Sequence, residues 1–129
     1  MDGIFGSLIP EVQHALQKEG YSMPTPVQGK TILPQIEGRD LFGSAQTGTG
    51  KTAAFTIPLL QELAAEKINP KGRHPRALIL APTRELAAQI GDSITAYGRF
   101  LQVSHTVIYG GVGQGPQEKA MNRGVDIVV

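Results

Sequence analysis

The chain has 129 residues, a net charge of +1, 40% hydrophobic and 18% charged residues, and no cysteine. One domain of this size buries a core without staples, and the lack of cysteine excludes a disulfide framework or a cysteine–zinc site and fits a reducing compartment. Near-neutrality excludes a broad electrostatic grip on nucleic acid, so any such contact rests on a few placed groups.

Met1 to Phe5 lacks the basic start and apolar stretch of a signal peptide. No apolar run approaches a membrane span, and a cytoplasmic location is expected. A first helix is predicted from Pro10 to Glu19, where Pro10 suits the first turn, Gly20 the stop, and Val12, Ala15 and Leu16 share a face. A second starts at Thr25 and Pro26, with Thr25 as cap. Val27, Ile32, Leu33 and Ile36 are its apolar residues, Pro34 is a point for a kink or an end, and Gly38 marks the exit. A short strand, Asp40 to Ala45, then feeds a Gly-rich loop. A helix follows from about Gly50 to Glu66, with Ala54, Ile57, Leu60 and Leu63 in periodic positions and Pro58 as a point for a bend.

The stretch Lys67 to Arg76 gathers Lys67, Lys71, Arg73, His74 and Arg76, and its Pro and Gly content reads as a solvated loop. Ala77 to Ala81, A-L-I-L-A, is apolar throughout, as a strand buried on both faces would be. A helix over Arg84 to Phe100 points Leu86, Ile90, Ile94 and Tyr97 inward. Val103 to Tyr109 is a third strand, Gly113 to Asn122 a short helix, and Val125 to Val129 a fourth strand. Alternating strand and helix implies right-handed crossovers and a parallel sheet covered on both faces. Ligands of such folds sit at the carboxyl ends of the strands. Residues 1–38 read as a helical segment and 39–129 as the nucleotide-binding domain, incomplete. His14, His74 and His105 share no metal-ligand spacing and read as structural or surface residues.

The Gly-rich loop carries the chemistry. Ala45, Gln46, Thr47, Gly48, Thr49, Gly50, Lys51 and Thr52 follow the phosphate-loop pattern G-x-x-x-x-G-K-[ST], with Ala45 in the first place. Backbone N–H groups must converge on phosphate oxygens, and glycines let them approach. The helix that follows points its positive end at the same anion. Lys51 supplies a mobile cation for the outer phosphates, and the Thr52 hydroxyl suits Mg²⁺.

A-Q-T-G-T-G-K-T resembles motif I of the DEAD-box RNA helicases, where Ala in first place is usual. Gly20 to Gln28, G-Y-S-M-P-T-P-V-Q, looks like the Q motif of that family. Pro82 to Ala87, P-T-R-E-L-A, looks like motif Ia, and Gly110-Gly111 matches its double glycine. The strings occur in family order and cover essentially the whole chain. The resemblance implies the N-terminal part of a first RecA-like domain in an ATP-dependent RNA helicase. It implies that Gln28 reads adenine, for which one amide has the right donors and acceptor. Thr25 and Tyr21 then belong to the ATP site, Tyr21 either packing on the base or serving the core. It implies RNA-backbone contacts at Pro82, Thr83, Arg84, Gly110 and Gly111, where a helix N-terminus and glycines suit phosphate. Thr83 also reads simply as the helix cap, with Glu85 complementing the dipole. The family stacks an upstream aromatic residue on the base. Phe5 is the only candidate, at a spacing a residue or two shorter than usual.

The 129 residues contain no D-E-A-D, T-P-G-R or S-A-T string. Asp40 and Asp126 fall at the wrong ends of their strands for a metal carboxylate, and Asp92 falls within a helix. These residues by themselves are expected to hold ATP without efficient turnover, and without the acidic strand the sheet is expected to expose apolar edges. The alternative is a nucleotide-binding module without turnover. A GTPase reading is disfavoured, since no N-K-x-D string occurs.

Overall fold

Helix ends fall where local chemistry puts them. The computed structural model describes residues 3–46, 48, 50–66, 74–110 and 113–129. In chain order it contains α1 (Gly3–Gly6), α2 (Pro10–Lys18), α3 (Pro26–Ile36), α4 (Lys51–Ala65), β1 (Ala77–Leu78), α5 (Arg84–Tyr97), β2 (His105–Thr106), α6 (Gln114–Arg123) and β3 (Ile127–Val128). α1 has no counterpart among the expected elements. Four residues carry too little periodicity to announce a helix.

Val12, Ala15 and Leu16 of α2 are buried together, and an amide from α4 serves its start: the Ile9 N–H donates to Gln61 Oε1 at 2.9 Å. Both inner prolines stay within their helices. Pro58 has no N–H to offer the carbonyl four residues back, which is that of Ala54. Gln35 of α3 fills the gap, its Nε2 donating to Ala54 O at 2.7 Å and to Thr31 O at 2.8 Å. The proline in one helix is thus matched by an amide from the other.

The sheet is parallel, in the order β1-β3-β2. Its register pairs Ala77 with Ile127, Leu78 with Val128, His105 with Ile127 and Thr106 with Val128. Further backbone bonds run from Ile79 N to Val128 O and from Ile108 N to Val129 O. The last strand therefore lies between two earlier ones, and α5 packs on this small sheet and on α2 and α4. Phe5, Val12, Leu16, Ile32, Ile57, Leu60, Ile94 and Ile127 form the centre of the core. No described helix is long and apolar enough to cross a membrane.

Two expectations about strands fail. Asp40 to Ala45 forms no strand. Asp40, Leu41 and Gly43 of this segment line a cleft of about 900 Å³ together with Leu80, Leu86 and Tyr97. A strand without a ladder partner has no source of stability, and Phe42 in this segment is 99% exposed. Nor is A-L-I-L-A buried on both faces: Leu78 is 67% and Leu80 84% exposed, while Ala77, Ile79 and Ala81 face the core. The exposed apolar edge expected for this sheet is therefore present.

Candidate nucleotide and nucleic-acid site

The phosphate-loop residues that the structure describes are shaped for an anion. Gly48 has φ +83° and Gly50 φ +85°, left-handed values that glycine adopts without strain. Gly50 is the N-cap of α4, and Lys51 and Thr52 form its first turn. The orphan N–H groups of that turn and the positive helix end therefore face the loop. Lys51 is exposed and Thr52 half-buried; Gly48, Gly50, Lys51, Thr52 and Tyr21 all line the 900 Å³ cleft. Ala45 is half-buried and Gln46 exposed. Thr47 and Thr49 lie outside the described residues.

Gln28 is fully buried, not on the helix surface. Its Oε1 accepts from the Thr25 N–H at 3.0 Å, while its own N–H reaches Thr25 Oγ1 at 3.4 Å. These reciprocal bonds are a capping box. Its Nε2 donates to the carbonyl of Gly50 at 3.2 Å. A Cβ on Gly50 would fall 2.4 Å from that Nε2 and 3.0 Å from Thr25 Oγ1. The Q-like segment and the phosphate loop are thus locked together at a point that only glycine fits. An amide has two donor hydrogens and an acceptor oxygen with two lone pairs; one of each is engaged here.

Tyr21 packs against the core and also lines the cleft. Its ring meets Tyr97 edge-on at 5.9 Å, and the Tyr97 hydroxyl donates to that of Tyr21 at 3.1 Å. Burial, reinforced by this bond, holds the Tyr97 hydroxyl far above the usual phenol range. Phe5, the one upstream aromatic candidate for stacking on a base, lies at the centre of the core with no exposed surface.

The other candidate residues gather at the carboxyl ends of the strands. A hollow of about 370 Å³ is lined by Pro82, Thr83, Arg84, Gly110, Val128 and Val129 among others. Thr83 caps α5, its Oγ1 accepting from the Leu86 N–H at 3.1 Å. Arg84 Nη1 donates to the Gly110 carbonyl at 3.2 Å, joining two strings that lie 26 residues apart. Gly111 lies outside the described residues, as do Lys67, Lys71 and Arg73 of the basic stretch.

Asp126 is a structural acid. It is buried just before β3; its Oδ2 accepts from the N–H and hydroxyl of Ser104 at 3.0 and 3.2 Å, and its Oδ1 lies 3.4 Å from Arg76 Nη1. A buried charge needs such partners, and neither the Arg76 pairing nor the Ser104 bonds have a local signal in the sequence. The three histidines are dispersed: His14 stacks on Phe100 at 4.3 Å, His74 is exposed, and His105 lies in β2, where burial lowers its pKa against a smaller opposing pull from Asp92. Among the described residues no group of three metal-binding side chains occurs. The glycine cradle at α4 suits a polyphosphate, and among the described residues of the phosphate loop Thr52 carries a hydroxyl of the kind that ligates a magnesium ion.

Comparison with known proteins agrees with this geometry. A family model described as DEAD/DEAH box helicase matches residues 25–129. The chain is 42% identical over 118 residues to DEAD-box ATP-dependent RNA helicase 20 of Oryza sativa, covering 92% of this chain and 24% of that protein. To DEAD-box ATP-dependent RNA helicase 3B, chloroplastic, of Zea mays it is 43% identical over 122 residues, covering 92% of this chain and 16% of the relative. It thus spans a quarter or less of these curated relatives. Among solved structures, the RNA helicase Prp28 from Chaetomium thermophilum bound to ADP superposes with a TM-score of 0.86 at 38% identity, over 99% of this chain and 31% of that one. A DEAD box protein from Methanococcus jannaschii gives a TM-score of 0.82 at 33% identity, over 95% of this chain and 32% of that one. The fold is therefore RecA-like, a parallel sheet flanked by helices, here with three described strands, and the chain belongs to the DEAD/DEAH box helicase family.

Proposed function

We propose that these residues are the ATP-binding part of an ATP-dependent RNA helicase, in which residues 1–38 present Gln28 to the nucleotide and residues 39–129 hold its phosphates and touch the RNA backbone. The observation that carries this reading is the lock between Gln28 and Gly50, which ties an adenine-competent amide to a phosphate cradle. In this reading Gly48 and Gly50 let backbone N–H groups approach the phosphates, and the exposed Lys51 ammonium neutralises the outer ones. Mg²⁺ bound with the nucleotide would neutralise charge on the β- and γ-phosphates; in this reading the Thr52 hydroxyl is one of its ligands. Gln28 has no exposed surface. Adenine readout through its remaining N–H and lone pair therefore requires the contacts around Thr25 and Gly50 to shift as ATP enters. Such an amide favours adenine over guanine, which presents an acceptor where adenine has its N6 donor. Pro82, Thr83, Arg84, Gly110 and Gly111 contact RNA backbone, with little reading of sequence. The absence of cysteine fits the cytoplasm, although the maize relative is named chloroplastic.

The test is nucleotide binding by calorimetry. Lys51→Ala should weaken ATP by roughly 100-fold or more, since it removes the cation on the outer phosphates. Gln28→Ala should erase the preference for ATP over GTP while keeping phosphate contacts. Unchanged ATP affinity in both variants would sink the assignment. With Asp126 committed to Ser104 and Arg76, these 129 residues alone should bind ATP without RNA-stimulated turnover, whereas the native protein containing them should show it.

A further inference from the structure

Gln117 has no place in the motifs, yet it makes two bonds, one on each side of the double glycine. Its Oε1 accepts from the Tyr109 N–H at 2.9 Å, immediately before Gly110. Its Nε2 donates to the carbonyl of Gly113, the N-cap of α6, at 3.1 Å. One amide therefore joins Tyr109 to Gly113, which flank the double glycine in sequence. From the other side Arg84 holds the Gly110 carbonyl at 3.2 Å. Gly110 is thus bracketed by a cation on α5 and a neutral clip on α6.

We propose that Gln117 is a positioning residue for RNA-backbone binding: by holding Tyr109 and Gly113 it keeps Gly110 against Arg84, so that Gly110 and the guanidinium meet one phosphate together. This rests on the proposed RNA contact at Arg84 and Gly110. Glycine has wide conformational freedom, and ordering Gly110 on binding would cost affinity that prior ordering saves. A guanidinium has five N–H groups; one engages Gly110, and a bidentate phosphate contact needs two more. Arg84 can therefore hold Gly110 and a phosphate at once. Gln117 is neutral and acts through the backbone of Tyr109 and Gly113, so it contributes order without neutralising phosphate charge.

That difference makes the test. Parent protein, Gln117→Met and Arg84→Met are titrated with a fluorescent single-stranded oligouridylate over a range of salt, using the native protein that contains these residues. Gln117→Met keeps the length of the side chain and removes both bonds. Losing that clip should weaken RNA binding about 3- to 10-fold at every salt concentration, with the slope of log K against log salt unchanged. Arg84→Met should weaken binding and reduce the slope by about one. Hydrogen exchange at the Tyr109 amide should accelerate in Gln117→Met, while ATP affinity and the thermal midpoint stay at parent values. RNA affinity unchanged in Gln117→Met, with Arg84→Met still impaired, overturns the positioning role and leaves the RNA site standing. RNA affinity unchanged in Arg84→Met overturns both. A reduced salt slope in Gln117→Met also overturns the proposal, since it would make Gln117 part of a phosphate contact. The conservative Gln117→Asn is too short to span both partners and should behave as Gln117→Met; parent-like binding by it counts against the clip.

Discussion

The α3–α4 pair and strand β1, whose continuation at Leu80 lines the same cleft as α3 and α4, are finished by different means. On the helical side two special backbone features have partners from the neighbouring helix. The carbonyl that Pro58 leaves open is taken by Gln35, and the Gly50 carbonyl at the head of α4 is taken by Gln28 as well as by the Ala54 N–H. In the sheet, β1 bonds to β3 through one edge only, and Leu78 and Leu80 stand in the open. A helix closes its hydrogen bonds within itself and needs a neighbour only for its apolar stripe. A strand needs another strand on each side before its backbone is satisfied. Among the described residues the helical bank therefore closes its hydrogen bonds, while β1 is paired along one edge.

The strongest way to break this comparison is Gly50→Ala. The substitution forces an L-residue into φ +85° and drives its Cβ to 2.4 Å from Gln28 Nε2. Gln28 is a flexible side chain, but it is enclosed and bonded at both ends of its amide, so moving it loosens the capping box as well. A left-handed alanine costs about 1–2 kcal/mol, and loss of a capping interaction about 1 more. Urea unfolding should therefore show a loss of about 2–4 kcal/mol. A loss below about 0.5 kcal/mol, the range of an ordinary surface substitution, would mean that the helical bank is not locked in this way.

Most of the helical bank was readable in the sequence because its signals are local. Pro10, Thr25 with Pro26, Gly50 with Lys51, and Thr83 each announce the start of a helix within a few residues. The glycine cradle and Arg84 likewise lie in short strings. The capping box has a local signal too, since Thr25-Pro26-Val27-Gln28 fits S/T-x-x-E/Q. The sheet resisted for a physical reason: A-L-I-L-A specifies a strand but not which of its faces is covered, and Asp40 to Ala45 has strand composition without a neighbour. Arg76 with Asp126 joins residues 50 apart in sequence, which no local pattern announces. Gln117 lies four residues beyond Gly113, close enough in sequence to reach it, but nothing in its own neighbourhood marks it.

The two threonine caps sharpen the contrast at intermediate size. Thr83→Ala removes the bond from the Leu86 N–H and should cost about 1 kcal/mol in urea unfolding. Because this cap does not touch the phosphate loop, its cost should add to that of Gly50→Ala within about 0.5 kcal/mol. Thr25→Ala acts on the residue that a Cβ at Gly50 would meet at 3.0 Å, so its cost should overlap with that of Gly50→Ala. Equal additivity for both caps would remove the distinction between a coupled bank and an independent helix end.

The smallest effect belongs to β1. Leu80→Lys places a charge at a position that is 84% exposed, where a long side chain stays in water at little cost. Its effect on the unfolding of these 129 residues should stay within about 0.5 kcal/mol. The same change should lower self-association at high concentration, because charged residues on an open strand edge oppose edge-to-edge pairing. Sedimentation of parent and variant at matched concentrations measures that second arm. A loss of about 2 kcal/mol or more, the size expected for a buried leucine, would show that the outer face of β1 is covered in solution. The asymmetry between the two banks would then lie in what covers the strand, not in how helices and strands complete their hydrogen bonds.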